Sequence, residues 1–287
     1  MSRVTVARKV RRFADGAFHQ VPDVVAGEEP LEIRAGGRTL TVTMRTPGHD
    51  IELAHGWLHG EGVIAGPGDV RGARYCAGSD SDSLNTYNVL DVSLTDPAGA
   101  DVGAALDRAV RTGVTTSACG VCGSASIEAL RNRTRYPLVP GLPAVDPAVI
   151  AGLPAALAER QRGFRRTGGT HAAGLADPDG RLTVVREDVG RHNAVDKVIG
   201  AALLAGGLPA TDQLLVTSSR ASFELVQKAV MAGIGVLVAV SAPSSLACEV
   251  ADDAGLTLIG FTRHAGFNVY TGPERVVGAL ETPGTRP

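Results

Sequence analysis

Three short apolar runs in the second half of the chain, Leu214–Val216, Gly235–Val240 and Leu256–Ile259, alternate with two segments of helical spacing, Ser222–Met231 and Ala247–Ala254. Runs this short suit strands buried on both faces. Alternation of strand and helix needs crossover connections, so the three strands are expected to be parallel in one α/β sheet. Ligands of such sheets gather beyond the carboxyl ends of the strands, where loops and helix N-termini converge. The sequence places Thr217–Arg220, Ser241–Ser245 and Gly260–Gly266 there. Their hydroxyls, backbone donors and guanidinium groups favour an anionic or phosphate-bearing ligand. None is a Walker loop or a G-x-G-x-x-G turn, so the motifs support neither an NTPase nor a Rossmann dehydrogenase.

Upstream, Gly168–His171 leads into the run Ala172–Ala176, then Asp177-Pro-Asp-Gly180, then Leu182–Val185, which predicts a hairpin closed by a type I turn. A helix over Ala194–Leu204 follows. Between Leu31 and Met44, Leu40, Val42 and Met44 alternate with threonines and predict a strand with one buried face, entered through a Gly36-Gly37 turn. Pro47-Gly48 ends it, and Asp50 is expected to cap a helix whose Ile51, Ala54 and Leu58 form an apolar stripe. Another strand is expected over Asn85–Leu94, with Leu90, Val92 and Leu94 on one face. Pro137–Pro154 reads as an irregular connection, with a short helix over Ala148–Glu159. The expected organisation is a small α+β subdomain over residues 1–110 and an α/β domain over residues 111–287.

Composition narrows the function classes. With 28 Lys and Arg against 30 Asp and Glu, the net charge is −2, so bulk charge does not drive nucleic-acid binding. Aromatic residues are 4% of the chain, too few for a stacking platform. The longest apolar stretch, Ala229–Val240, is broken by Gly233 and Gly235 and falls short of the roughly 20 residues that a membrane helix needs. No apolar segment follows the basic residues near Met1, so the expected location is the cytoplasm. Four cysteines, two of them in Cys119-Gly-Val-Cys122, point to a reactive or metal-binding pair in a reducing compartment rather than a disulfide framework.

Small neighbours leave the Cys119 and Cys122 sulfurs approachable, and a helix over Ala125–Leu130 would lower a thiol pKa through its N-terminal amides. No second C-x-x-C completes a four-cysteine zinc site. The rival is a zinc-dependent deaminase-like hydrolase, because His59-Gly-Glu61 is an H-x-E upstream of the cysteine pair. Against it, Ala118 stands where that signature has proline, and His59 also reads as a helix-end histidine beside the negative end of the dipole. Cys76 and Cys248 read as small core residues. His171, Asp188, Arg191, His192 and Asn193 gather around the predicted hairpin. Either Asp188 or Asn193 caps the next helix, or His171 and His192 share a pocket mouth with Arg220 and Arg263.

Several blocks resemble those of the FdhD family, sulfur carrier proteins needed for formate dehydrogenase activity. They are Met44-Arg-Thr-Pro-Gly-His49, Cys119-Gly-Val-Cys-Gly123, Gly168-Gly-Thr-His171, Glu187-Asp-Val-Gly-Arg-His-Asn-Ala-Val-Asp-Lys197, Ser218-Ser-Arg-Ala-Ser-Phe-Glu224, Val240-Ser-Ala-Pro243 and Gly260-Phe-Thr-Arg263 with Phe267-Asn-Val-Tyr270. The resemblance spans nearly the whole chain. It implies a cytidine-deaminase-like three-layer α/β domain that has lost the zinc site, beside a smaller N-terminal subdomain. It further implies a carrier that takes persulfide sulfur from a cysteine desulfurase and passes it to the bis-molybdopterin guanine dinucleotide molybdenum cofactor destined for formate dehydrogenase. Cys119 would carry the persulfide and Cys122 would assist or resolve it. Phe261, Thr262, Arg263, His264, Ala265 and Gly266 would contact the cofactor, and Arg220 and His192 are assigned to the same site. A homodimer is expected, with no resident metal, no nucleic acid and no membrane partner.

Overall fold

The computed structural model describes residues 3–76, 87–96, 100–114, 130, 134–263 and 266–280. The chain opens with a feature that the sequence reading did not anticipate, an antiparallel ribbon of β1 (Thr5–Ala14) and β2 (Ala17–Ala26). Asp15 and Gly16 turn it with φ of 53° and 78°, the two left-handed positions of a type I′ hairpin.

A four-stranded sheet follows, built from β3 (Glu29–Ala35), β4 (Arg38–Arg45), β5 (Val70–Tyr75) and β6 (Val89–Leu94) in the order β4-β3-β6-β5. Gly36 and Gly37 make the expected turn, at φ 58° and 74°. Leu90, Val92 and Leu94 are buried as expected, but β4 departs from its pattern. Ile33 pairs with Thr41 and Arg34 with Thr39, which leaves Leu40 as an extra residue. That bulge shifts the alternation by one: Leu40 and Thr41 are both buried, while Val42 and Met44 are 58% and 47% exposed.

Helix α1 (Asp50–Gly60) buries Leu53, Ala54 and Leu58 against this sheet, and Ile51 is exposed instead of joining the stripe. Asp50 does not cap it. The N-cap is His49, in the left-handed region at φ 58°, and Asp50 turns inward to accept three hydrogen bonds from the buried Arg45 guanidinium at 2.9–3.1 Å. Helix α2 (Ala100–Val114) adds Ala105, Leu106 and Ala109 to the same core.

The remainder forms three layers. A six-stranded sheet has the order β12-β11-β10-β9-β7-β8, with β7 (His171–Ala176), β8 (Leu182–Asp188), β9 (Leu214–Thr217), β10 (Val236–Ala239), β11 (Thr257–Arg263) and β12 (Gly266–Thr271). Strands β9, β10 and β11 are parallel, as the alternation predicts. Strand β7 is antiparallel to both β8 and β9, so β8 runs with β9 and ends at the same edge. The hairpin turn is present, Gly180 N donating to Asp177 O.

Helix α3 (Pro147–Arg160), capped by Asp146, covers one face and packs on Leu214, Val216, Val236, Val238 and Ile259. It leads into the short α4 (Arg162–Thr167). Helices α5 (Arg191–Leu204), α6 (Phe223–Met231) and α7 (Ser245–Ala254) cover the other face, against Leu215, Leu237, Ala239 and Leu258. Central strands buried on both sides account for the uninterrupted apolar runs.

Helices α1 and α5 join the two parts at near-backbone contact. A Cβ added at Gly56 would collide with the carbonyl oxygen of Asp196, and one added at Gly200 with that of Glu52. Among the described residues no helix is long and apolar enough to cross a membrane.

Candidate functional site

The carboxyl edge of the six-stranded sheet is assembled around a buried ion pair. Asp188, the last residue of β8, is 0% exposed and Lys197 is 1% exposed, with Nζ 2.7 Å from Oδ2. Lys197 Nζ also donates to Thr46 O at 2.8 Å, and Asp188 accepts from Thr46 N and Gly190 N. Asn193 Nδ2 donates to Met44 O at 2.7 Å, and Val189 N to Thr46 Oγ1. The loop after β4 is therefore fastened to the β8–α5 turn. Neither Asp188 nor Asn193 caps α5, whose N-cap is Gly190; their polar atoms tie the two parts of the chain together instead.

Arg191 and His192 follow at the start of α5. His192 Nε2 lies 3.2 Å from Ser222 Oγ and 3.6 Å from Glu224 Oε2. The contact with His192 holds the Glu224 carboxyl down at about 2, against the opposing effect of burial. His171 opens β7 opposite Asp188. Burial lowers its pKa, and the charges of Arg191 and His192 add to the effect. Burial likewise lowers the Arg191 pKa, with Arg220 adding to it and Glu224 opposing. These couplings place His171, Arg191, His192, Arg220 and Glu224 in one electrostatic neighbourhood. Arg191 Nε is buried without a hydrogen-bond partner among the described residues. Arg191 and Arg220 close together, with His171 and His192 beside Arg191, suit an anionic ligand. A cavity of about 360 Å³ opens at His171, lined also by Gly168, Gly169, Val189, Phe164 and Ser218.

Backbone bonds stitch the three strand ends into one surface. Val240 N donates to Thr217 O, Ser241 N to Ser219 O, and Phe261 N to Ser241 O. Gly260–Gly266 is not the free loop expected. Strand β11 continues to Arg263 and returns through β12, with Arg263 paired to Gly266. A bulge between Gly260 and Arg263 puts Phe261 at φ 53°, a strained conformation for a bulky residue, with its ring 42% exposed. Thr262 is fully buried and its Oγ1 has no partner among the described residues. Arg263 is exposed. His264 and Ala265 lie outside the described residues.

Cys119 and Cys122 also lie outside the described residues, as does the predicted helix over Ala125–Leu130 except for Leu130. Cys76 and Cys248 are half-buried free thiols; Cys248 packs beside the main core, and burial pushes its pKa up. His59 sits in the last turn of α1, but not as a charge facing the dipole. It is 1% exposed, stacks on Tyr136 with ring centroids 6.5 Å apart, and burial, then Arg135 and Lys228, push its pKa down to about 4. Below it, Lys228 Nζ pairs with the buried Asp196 at 2.6 Å.

Sequence reasoning missed the roles of Thr46, Lys197, Ser222 and Glu224. Ser222 and Glu224 looked only like a helix start. The buried Lys197 was visible as a lone cation among the apolar positions of α5.

Comparison with known proteins shows the family. The FdhD/NarQ family matches residues 26–277. Relatives named sulfur carrier protein FdhD include one from Streptomyces coelicolor, 53% identical over 96% of this chain and 97% of its own, and one from Corynebacterium efficiens, 56% identical over 88% of this chain and 90% of its own. A solved structure from Desulfotalea psychrophila, named for a formate dehydrogenase accessory role, superposes with a TM-score of 0.73 at 24% identity, over 96% of this chain and all of its own. Conserved length, sequence identity and fold together place this chain in the FdhD/NarQ family.

Proposed function

We propose that this protein is a sulfur carrier serving formate dehydrogenase, taking sulfur from a cysteine desulfurase and handing it to the molybdenum of a bis-molybdopterin guanine dinucleotide cofactor. The observation that carries the reading is the strand edge that brings Arg191, Arg220, His171 and His192 together, with a cavity opening at His171, in a chain whose relatives are named sulfur carriers. The cofactor is cargo here. Its guanine dinucleotide phosphates suit Arg220, Arg191 and His192, and the exposed Phe261 ring offers a face on which a base can stack. Arg263, His264, Ala265 and Gly266 complete that contact in this reading, whereas Thr262, expected among them, is fully buried beneath the bulge and does not reach the cofactor.

Cys119 supplies the nucleophile. Its thiolate attacks the terminal sulfur of the donor's persulfide, a new S–S bond forms, and the donor leaves as its own thiolate. Attack by the Cys122 thiolate on the Cys119 sulfur would expel the terminal sulfur as hydrosulfide and leave a Cys119–Cys122 disulfide. The carrier works as a homodimer in the cytoplasm, where thiols stay reduced.

Intact-mass measurement after incubation with desulfurase and cysteine tests the reading. Wild type is expected to gain one sulfur and Cys119→Ala none. Equal loading of both, or no loading of either, overturns it. Complementation of a strain lacking the carrier, scored by formate dehydrogenase activity, separates this function from a cofactor chaperone whose thiols are incidental, because a chaperone would survive Cys119→Ala.

A further inference from the structure

A second cavity lies between the N-terminal ribbon and α4, with Lys197 of the buried ion pair on its wall. It encloses about 350 Å³ and is walled by the Thr46–His49 turn, the base of the ribbon at Val4, Thr5 and Ala26, and α4 with the last turn of α3. Thr170 lines both this cavity and the one beside His171, and its bond to Glu187 stands between them.

Most charges on its walls are already matched. Arg186 forks onto Glu52 at 2.5 and 2.7 Å, and His49 Nδ1 lies 3.2 Å from the same carboxylate. Lys197 belongs to Asp188. Glu187 accepts from Gly163 N, Phe164 N and Thr170 Oγ1 at 2.7–2.9 Å, which uses the first amides of α4.

Arg160, Arg162 and Arg166 are different. All three line the cavity, all three are exposed, and among the described residues none has a carboxylate within ion-pair distance. Arg162 and Arg166 stand four residues apart on α4, so their like charges share one face of a six-residue helix and repel each other. An anion between them removes that repulsion. Guanidinium forks match the paired oxygens of phosphates, and three of them call for more than one negative charge. Val4, Ala26, Pro47 and Val185 give the cavity an apolar side as well.

The geometry points to a second oxyanion site at Arg160, Arg162 and Arg166 that binds a diphosphate group. The diphosphate is either free or borne by a nucleotide, and the two sources present the same oxygens to the arginines.

Calorimetric titration with inorganic pyrophosphate at low salt tests the site on wild type, Arg162→Glu/Arg166→Glu, Arg162→Gln/Arg166→Gln and Arg220→Glu. Wild type is expected to show saturable binding, Arg220→Glu to keep a saturable binding event after loss of the strand-edge phosphate contact, and both double variants to weaken that event at least tenfold. Absent binding to Arg220→Glu, or isotherms unchanged from wild type in both double variants, overturns the site. An unchanged melting temperature in the glutamine variant excludes unfolding as the cause. Competition with GDP in Arg220→Glu, where the strand-edge phosphate contact is gone, assigns the source: displacement of pyrophosphate by GDP marks a nucleotide-borne diphosphate, and undisturbed pyrophosphate binding marks a free one. Because pyrophosphate binding is read without sulfur or molybdenum, failure here leaves the sulfur-carrier reading standing, and the reverse also holds.

Discussion

Lys197 and Asp188 form an ion pair with both side chains at or below 1% exposure, and Thr46 from the other part of the chain bonds to both of them. The pair is thus the point where the four-stranded sheet is fastened to the start of α5. Removing one member of a buried pair leaves the other charge uncompensated, at a cost of about 3–5 kcal/mol. Lys197→Met is expected to lose stability on that scale in urea unfolding and to weaken nucleotide binding through Arg191 and His192. A loss under about 0.5 kcal/mol would show that Asp188's backbone donors suffice alone.

The Gly56 and Gly200 contacts between α1 and α5 leave no room for a methyl group, because the opposing atoms are backbone carbonyls that cannot rotate away. Gly200→Ala is expected to force the helices apart and cost about 1–3 kcal/mol or more, although alanine is the better helix former. Thermal unfolding checks this, with Gly152→Ala in α3 as the control, since a Cβ there meets nothing within 4 Å.

His59 makes stability depend on pH. Its pKa falls from 6.5 to about 4 on folding, so the unfolded chain binds the proton more tightly. Stability from this group is therefore complete above pH 6.5 and declines as pH drops toward 4. His59→Phe keeps the stack on Tyr136 and is expected to flatten the stability profile over that interval. An unchanged slope in urea midpoints measured from pH 7 to pH 4 would move the effect to other groups.

What could be read in advance follows from how local each signal is. The parallel strands β9, β10 and β11 were legible because each is buried on both faces, so no phase had to be known. Strand β4 was half legible: its residues alternate, but the bulge at Leu40 depends on the register with β3, and only the pairing reveals it. The ribbon carried an Asp15-Gly16 turn signal, yet most of its residues are exposed, so no apolar alternation accompanied it. Asp50 looked like a cap because caps are local, whereas its partner Arg45 is brought in by the strand before it. The site divides in the same way. His171, His192 and Arg220 were legible as a polar set at strand ends, but the Lys197–Asp188–Thr46 connection spans some 150 residues of chain and leaves no spacing rule to follow.

Phe261 offers a way to separate binding from folding. Its φ of 53° favours glycine, so Phe261→Gly is expected to relieve backbone strain of about 1 kcal/mol and leave the melting temperature unchanged or higher. The exposed ring contributes little packing to be lost. If it is a stacking face for guanine, the same substitution should weaken GDP binding by about tenfold, in line with roughly 1–3 kcal/mol for a base on an aromatic ring. Fluorescence or calorimetric titration alongside a thermal melt gives both readings on one sample. A lower melting temperature with unchanged GDP affinity would make Phe261 a structural residue and move the base elsewhere along the strand edge.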